Sequence, residues 1–196
     1  AVADDVIYMG SYVFVYALNA ATGRLMWQHY TGNDGDGSVV GSLAVANGVV
    51  YVILVGGYSD TICALNATSG VLRWKYVTDG GGVSSFGPTV ANGIVYVGAQ
   101  NNGVYALNAT TGALVWKYTT GDWVMSSPAV VGGTVYVGSH DHNVYALNAA
   151  TGALIWNYTT GGPVASSPAV VGGIVYVSSF DHNFYALNAT TGAFVW

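Results

Sequence analysis

The sequence predicts an all-β fold, a β-propeller of five four-stranded antiparallel blades, and two observations support this prediction. An eleven-residue phrase that ends in tryptophan occurs five times, and its tryptophans are spaced 47, 42, 40 and 40 residues apart. The 196 residues include 28 Gly and 15 Tyr, which favour strands joined by tight turns. Because a sheet of four short strands cannot cover both of its faces, such units stack side by side around an axis.

The repeated phrase marks the same point in every blade. Its copies are ALNAATGRLMW (17–27), ALNATSGVLRW (64–74), ALNATTGALVW (106–116), ALNAATGALIW (146–156) and ALNATTGAFVW (186–196). The glycine allows a tight turn, the Asn and Thr side chains hydrogen-bond turn amides, and the tryptophan fills the space between blades. We interpret these residues as scaffold. The predicted blades of this single domain span residues 1–37, 38–80, 81–121, 122–161 and 162–196.

The fourth repeat shows how one blade is built from four short strands separated by polar or Gly-rich turns. Its predicted strands are Ser126–Val131, Thr134–Gly138, Val144–Leu147 and a fourth that begins with Ala153–Trp156. The Gly132-Gly133 pair predicts a two-residue hairpin turn between the first two strands. Side chains alternate along these strands, for example in Val135-Tyr136-Val137, as they do in a sheet that packs between two neighbouring sheets.

The repeated phrase resembles the tryptophan-docking motif, Ala-x-Asp-x-x-Thr-Gly-x-x-x-Trp, of propellers built from pyrroloquinoline-quinone (PQQ)-like repeats. The segment Ser166–Val177 is similar to the first hairpin of that family. In this chain asparagine replaces the usual aspartate, at Asn19, Asn66, Asn108, Asn148 and Asn188. The resemblance covers essentially the whole chain and implies the propeller fold. It is less specific for function, because the family includes quinoprotein dehydrogenases, an outer-membrane assembly lipoprotein and many surface proteins.

The same resemblance argues against an enzyme. In the quinoprotein dehydrogenases a disulfide of adjacent cysteines and a Glu–Asp calcium site flank the cofactor. This chain has one cysteine, Cys63, and no Glu. We therefore expect no catalytic residues and no PQQ site, and identify the chain as a non-enzymatic member of the family.

The sequence leaves three arrangements of the ring open. A closed five-bladed ring is favoured, because closure removes exposed edge strands that are prone to aggregation. The alternatives are a segment of a larger ring, since family members commonly have eight blades, and a protomer whose open edges pair with another copy. The chain begins in the middle of a first strand, since Ala1–Gly10 aligns with Ala129–Gly138, and Trp196 lies within a fourth strand.

Composition and charge restrict the partners and the location. Four Lys and Arg residues and a net charge of −5 argue against binding to nucleic acid or to an anionic membrane surface. No apolar run approaches the roughly 18 residues that a membrane helix needs. Asn-x-Thr sequons occur at Asn66, Asn108, Asn157 and Asn188. Together with the low charge, they favour an extracellular or cell-surface protein, with the periplasm as the alternative.

Up-and-down topology places the interblade loops on the same face as the turns between second and third strands. Most of the aspartates and histidines lie in these loops and turns. The candidate partner-binding residues on this face are Asp122, Trp123, His140, Asp141, His142, Asp181 and His182. Trp123, together with Tyr12, Tyr58 and Phe180, is a candidate stacking platform for a sugar or peptide, although packing between blades is an equally good interpretation.

Two metal hypotheses arise on the same face. Asp34 and Asp36, in a Gly-rich loop, are weak candidates for calcium, which prefers several oxygen ligands. Gly32 occupies the first-ligand position of such a loop and no Glu follows at the twelfth, so a solvated turn is favoured. The His140-to-His142 stretch of the fourth blade, with Asp181 and His182 of the fifth, suggests a transition-metal site. Exposed turn histidines are the favoured interpretation, because His142 and His182 occupy the same repeat position.

The function that these observations predict is a non-catalytic binding or scaffolding propeller. It is secreted or displayed on a microbial cell surface, and its interblade-loop face engages a protein or a glycan. The alternative is a self-associating structural unit of a surface layer or fibre. A fragment of a PQQ-dependent quinoprotein comes third.

Overall fold

In the computed structural model of the chain, each copy of the tryptophan phrase lies at the outer edge of one antiparallel sheet, and five sheets follow one another in chain order. The structure describes residues 1–33, 38–39, 41–55, 59–80 and 86–196. Within these ranges no helix is long and apolar enough to cross a membrane. The all-β propeller-blade architecture predicted from the sequence is confirmed.

We number the sheets as blades 1 to 5 in chain order. Blade 1 contains β1 (Val2–Ala3), β2 (Val6–Ser11), β3 (Phe14–Asn19) and β4 (Leu25–Tyr30), and a short 3-10 helix, Thr31–Asn33, follows it. Blade 2 contains β5 (Ser38–Val39), β6 (Ala44–Ala46), β7 (Val49–Val55), β8 (Thr61–Asn66) and β9 (Leu72–Val77). Blade 3 contains β10 (Thr89–Ala91), β11 (Ile94–Gly98), β12 (Gly103–Asn108) and β13 (Leu114–Thr119). Blade 4 contains β14 (Ala129–Val131), β15 (Thr134–Gly138), β16 (Asn143–Asn148) and β17 (Leu154–Thr159). Blade 5 contains β18 (Ala169–Val171), β19 (Ile174–Ser178) and β20 (Phe184–Asn188).

The first strand of blade 4 is shorter than the sequence predicts. It begins at Ala129 rather than Ser126, because Pro128 has no backbone N–H to contribute to the ladder. The Ser126 side chain substitutes for part of the missing pairing: its Oγ accepts a hydrogen bond from the Gly138 N–H at 2.9 Å and donates one to the Gly138 carbonyl at 3.1 Å. Ser166 makes the same pair of contacts in blade 5.

Blade 5 has three full strands instead of the four predicted. Its outer segment pairs with β20 through an isolated bridge between Leu187 and Phe194. Two backbone hydrogen bonds extend this pairing, from the Val195 N–H to the Ala186 carbonyl and from the Ala186 N–H to the Trp196 carbonyl. The segment therefore lies where a fourth strand lies in the other blades.

The turn within the repeated phrase has the structure that its residue types predict. In blade 3 the Asn108 Oδ1 accepts hydrogen bonds from the N–H groups of Thr110 and Thr111, both at 2.9 Å. The Gly112 N–H donates to the Asn108 carbonyl at 2.8 Å, and Gly112 has a φ of +73°. A β-bulge between Ala106 and Leu107 accompanies the turn. Asparagine thus caps the turn at the position where the family motif has aspartate.

Each phrase tryptophan from blades 1 to 4 docks on the following blade. The Trp116 Nε1–H donates to the Ala149 carbonyl at 2.9 Å, and its ring lies so close to Gly152 that a Cβ there would meet it at 2.7 Å. The Tyr96 hydroxyl donates to the same carbonyl at 3.0 Å. The equivalent tryptophan bonds are Trp27 to Ala67, Trp74 to Ala109 and Trp156 to Ala189, at 2.9 to 3.0 Å.

The hydrophobic core consists of clusters that lie between successive blades. In the cluster between blades 4 and 5, Tyr136 and Trp156 pack against Val175 and Leu187. Three further clusters join blades 1 and 2, blades 2 and 3, and blades 3 and 4. Within the described residues no cluster joins blade 5 to blade 1.

The favoured prediction of a closed five-bladed ring is therefore wrong, and the five blades form an open arc. Trp196 of blade 5 is 60% exposed, and a Cβ on Gly23 of blade 1 would meet no atom within 4 Å. At the four interfaces between successive blades a tryptophan lies on the glycine of the next blade, whereas Trp196 does not lie on Gly23.

Replacing Gly152 with alanine is expected to lower the free energy of unfolding by about 3 kcal/mol. The positive φ of Gly152 costs a residue with a Cβ about 1–2 kcal/mol, and displacement of the Trp116 ring adds about 1–3 kcal/mol. Guanidinium denaturation measures the difference. Gly93→Ala is the matched control, because Gly93 has a φ of +75° with no atom near its Cβ position. Equal losses in the two variants would show that tryptophan docking contributes little.

Candidate functional site

The interblade loops and the turns between second and third strands share one face, as the sequence predicts. The His140 N–H, in the β15–β16 turn, donates to the Trp123 carbonyl of the preceding loop at 2.8 Å. In the next blade the Phe180 N–H donates to the Pro163 carbonyl at 2.9 Å. We call the surface formed by residues 120–128, 139–142, 160–168 and 179–182 the loop face.

Three rings form a continuous row across the loop face. The centroids of Trp123 and His140 lie 5.9 Å apart, and those of His140 and Phe180 lie 5.9 Å apart in an edge-on arrangement. Trp123 is 46% exposed and Phe180 is 61% exposed. The Nε2 atom of His140 is buried and has no hydrogen-bond partner in the described part of the chain. We call Trp123, His140 and Phe180 the aromatic row.

The row arises from differences between two otherwise similar repeats. Phe180 occupies in blade 5 the turn position that His140 occupies in blade 4, and Pro163 occupies the loop position of Trp123. The sequence identified Trp123 and His140 as partner-binding candidates without predicting their ring contact. The alignment of the repeats could have predicted this contact, since it places His140 and Phe180 on equivalent turns of adjacent blades.

Asp141 ties the β15–β16 turn to the interblade loop. Its Oδ2 accepts hydrogen bonds from the Gly121 N–H at 2.7 Å and the Tyr145 hydroxyl at 2.6 Å, and its Oδ1 accepts from the Asn143 N–H at 3.0 Å. Burial raises the pKa of Asp141, but the hydrogen bonds from Tyr145, Gly121 and Asn143 outweigh it, so the pKa lies below its ordinary value. Burial and the Asp141 carboxylate together raise the pKa of Tyr145.

Asp181 makes the same set of contacts in blade 5. Its Oδ2 accepts from the Tyr185 hydroxyl at 2.5 Å and the Gly161 N–H at 2.8 Å, and its Oδ1 accepts from the Asn183 N–H at 3.0 Å. The hydrogen bond from Tyr185 is the largest cause of a lowered Asp181 pKa. The principal contacts of both turn aspartates are internal, which is a structural role.

The remaining predicted residues have different environments. Asp122 is exposed, and its Oδ1 accepts a hydrogen bond from the Trp123 N–H at 2.8 Å. His142 and His182 are exposed turn residues with positive φ values of 73° and 70°. The His142 carbonyl accepts the N–H and the hydroxyl of Thr160, so its backbone fixes the following interblade loop.

Several predicted residues cannot be assigned to this site. Asp34 and Asp36, the calcium candidates, and Tyr58, a predicted member of the stacking platform, lie outside the described residues. Tyr12 is exposed on blade 1 and has no ring contact with the aromatic row in the described ranges. Where side chains are described, no group of three or more His, Cys, Asp or Glu residues is placed to hold a metal ion.

The residues of this chain do not fit the PQQ site of the quinoprotein dehydrogenases. Such a site needs adjacent cysteines and a glutamate, and the sequence has one cysteine and no glutamate. Cys63 is fully buried in the cluster between blades 1 and 2, among Val50 and Val52. We derive no reaction step through this cofactor.

Asp141→Asn is expected to lower the free energy of unfolding by about 1–3 kcal/mol at neutral pH, through loss of hydrogen bonds to a charged acceptor. Because the folded pKa is depressed, this contribution is present above the unfolded pKa of about 3.9 and is lost as the pH falls through the folded pKa. Urea denaturation of both proteins at neutral and strongly acidic pH measures it. Asp5→Asn, in an exposed turn on the opposite face, is the control. A difference between wild type and Asp141→Asn that is independent of pH contradicts this role.

The comparisons with known proteins agree with this architecture. The family profile described as outer membrane protein assembly factor BamB matches residues 11–125 and 104–196. A search of curated proteins found no match. Among solved structures, BamB from Moraxella catarrhalis has a TM-score of 0.83 and 23% identity, and the match covers 100% of this chain and 59% of that chain.

Two other structures show how widely this architecture is shared. Quinohemoprotein alcohol dehydrogenase ADHIIG from Pseudomonas putida HK5 has a TM-score of 0.79 and 22% identity, covering 100% of this chain and 40% of that chain. The computationally designed Ika8 protein has a TM-score of 0.78 and 18% identity, covering 95% of this chain and 56% of that one. At such identities these likenesses show the fold, and the open arc matches part of larger propellers. Since the profile matches cover most of the sequence, the chain belongs to the PQQ-like repeat β-propeller family whose profile is described as outer membrane protein assembly factor BamB.

Proposed function

We propose that this chain is a non-catalytic scaffold that binds a protein partner through the loop face, with the aromatic row as the centre of the contact. The observation that carries this proposal is the exposure of Trp123 and Phe180 on either side of His140. Large rings that stay exposed on a rigid frame are characteristic of interaction hot spots.

The backbone around the row is held in place before any partner arrives. The Trp123 carbonyl accepts a hydrogen bond from the His140 N–H, and the Asp122 carboxylate accepts one from the Trp123 N–H. In blade 5, Asp181 fixes the loop at Gly161 beside the Phe180 turn. A preorganised surface loses little conformational entropy on binding, which increases affinity for a given contact area.

Charge indicates the chemistry of the partner. The loop face carries exposed Asp122 beside Trp123, and the chain has a net charge of −5 with four Lys and Arg residues. A partner segment that presents an apolar side chain next to Arg or Lys would match both features, through ring contacts and charge complementarity. This favours a protein over an uncharged glycan.

The absence of catalysis is part of the proposal. Asp141 and Asp181 are engaged by backbone N–H groups and tyrosine hydroxyls, which leaves them poorly placed as proton acceptors for a substrate. The likeness between this chain and the quinohemoprotein alcohol dehydrogenase is a likeness of fold alone. PQQ-dependent and calcium-dependent oxidation of alcohols by the purified chain would overturn this part of the proposal.

We also propose a location outside the cytoplasm, in the periplasm or on the cell surface. The description of the matching family names an outer membrane protein assembly factor, and the low charge of this chain is compatible with such an environment. A cytoplasmic signal in fractionated source cells, with the chain detected by antibody, would contradict it.

Selection of a phage-displayed peptide library on the immobilised chain tests the binding proposal. We expect enrichment of peptides that combine aromatic or aliphatic residues with Arg or Lys. Their dissociation constants should rise by about 30-fold in the double variant Trp123→Ser and Phe180→Ser, as for loss of hot-spot residues.

The control is a double variant on the opposite face, Val131→Ser and Val171→Ser, which removes exposed apolar side chains from hairpin turns. Selected peptides should bind this control like the wild type. Peptides that bind both double variants equally would contradict the assignment of the loop face. If no peptide is enriched and the chain instead binds glycans on an array in a way that depends on Trp123, the proposal of a protein partner is wrong and the partner is a carbohydrate.

A further inference from the structure

One carboxylate on the loop face has no compensating partner within the chain. After Lys117 the sequence has three aspartates and no Lys or Arg. Asp141 and Asp181 each accept hydrogen bonds from two backbone N–H groups and a tyrosine hydroxyl. Asp122 is exposed and accepts one, from the Trp123 N–H, and in the described part of the chain its Oδ2 accepts none. The Asp122 carboxylate therefore remains available to a cation from outside the chain.

The backbone holds this carboxylate beside an exposed indole ring. The Asp122 carbonyl accepts the hydroxyl groups of Thr120 at 2.6 Å and Ser139 at 3.0 Å. The Trp123 carbonyl accepts the His140 N–H at 2.8 Å, and the His140 ring lies against the indole. The indole stays exposed on the loop face. We call Asp122 and Trp123 the acid–indole pair.

The equivalent loop of blade 5 has the same backbone without the acid–indole pair. Gly162 and Pro163 stand at the two positions. The Gly162 carbonyl accepts the hydroxyl groups of Thr160 at 2.7 Å and Ser179 at 2.9 Å, and the Pro163 carbonyl accepts the Phe180 N–H at 2.9 Å. The loop therefore forms without an acidic or aromatic side chain at these positions. The acid–indole pair adds recognition chemistry to a frame that does not need it.

We propose that the acid–indole pair binds the guanidinium group of an arginine on the partner. The guanidinium plane stacks on the Trp123 indole while its N–H groups donate to the Asp122 carboxylate. Arginine fits better than lysine, because a planar, weakly hydrated cation makes both contacts at once, whereas an ammonium is a strongly hydrated point charge. This inference rests on the proposed function for the place of the contact, and it narrows the basic residue of the partner to arginine.

The arrangement also divides the aromatic row into two parts. His140 separates Trp123 from Phe180, and no carboxylate precedes the Phe180 ring in the way that Asp122 precedes Trp123, since residue 179 is Ser. We assign the cation to the Trp123 end of the row and the apolar side chain of the partner to the Phe180 end.

Titration of the 196-residue chain with N-acetyl-arginine amide tests the site directly, because this probe carries the guanidinium and no other charge. The indole and backbone N–H signals of Trp123 in proton–nitrogen correlation NMR spectra report binding. We expect saturable shifts with the arginine probe. The dissociation constants of N-acetyl-lysine amide and N-acetyl-citrulline amide should be at least about 10-fold higher, since the first lacks the planar fork and the second lacks the charge.

Two variants and a control assign the binding to the acid–indole pair. Asp122→Asn keeps the size of the side chain and removes its charge, and should raise the dissociation constant of the arginine probe by about 10-fold or more. The double variant Asp122→Gly and Trp123→Pro copies the blade 5 loop, so it should fold like the wild type and show no shift of the His140 backbone N–H signal on titration. Asp5→Asn, the same charge change in an exposed turn on the opposite face, should bind like the wild type.

The possible results separate this inference from the proposed function. Equal affinities for the arginine, lysine and citrulline probes, or an Asp122→Asn variant that binds like the wild type, would overturn the arginine site. Selected peptides that require Trp123 and Phe180 but tolerate replacement of their arginine by lysine would also overturn it, and would leave the proposed protein binding intact. Conversely, arginine binding that depends on Asp122, with no peptide enriched from the library, would support the site and contradict the protein partner.

Discussion

The contact between a tryptophan and the glycine turn of the following blade is the constraint on which the architecture depends. A four-stranded sheet has two apolar faces, and each must be covered for the unit to be stable. At Trp116 the indole ring covers Gly152 and its N–H satisfies the Ala149 carbonyl. One residue therefore supplies apolar burial, a hydrogen bond and a fixed distance between blades, which explains why the phrase changes so little along the chain.

The loop face has a separate set of constraints, and these are polar. Asp141 and Asp181 connect each turn to the loop before it through N–H groups and a tyrosine hydroxyl. These contacts remove two carboxylates from the groups available for function. The largest side chains that stay exposed on this face are aromatic, Trp123 and Phe180, and this is why the proposed function is binding rather than chemistry.

Membership of the family explains the frame and leaves the function to the positions at which repeats differ. BamB of Moraxella catarrhalis, a quinohemoprotein alcohol dehydrogenase and a designed protein share this arrangement of blades. The repeat positions of Trp123 and Pro163, or of His140 and Phe180, have equivalent backbones and different side chains. Such differences alter the surface without disturbing the core, so the proposed function assigns binding specificity to them.

The sequence by itself determined most of the strands, the turn of the repeated phrase, the number of blades in the chain and the family. Each follows from local chemistry, such as Asn108 capping a turn that Gly112 completes, or from the spacing of the tryptophans. Only the tertiary structure decided that the five blades form an open arc, that Asp141 is structural, and that His140 joins Trp123 to Phe180. A repeat specifies how one blade meets the next, whereas ring closure depends on small rotations accumulated over every interface. In the same way, a turn motif places a side chain on a face, but its partner comes from a loop about 20 residues away along the chain, as Gly121 does for Asp141.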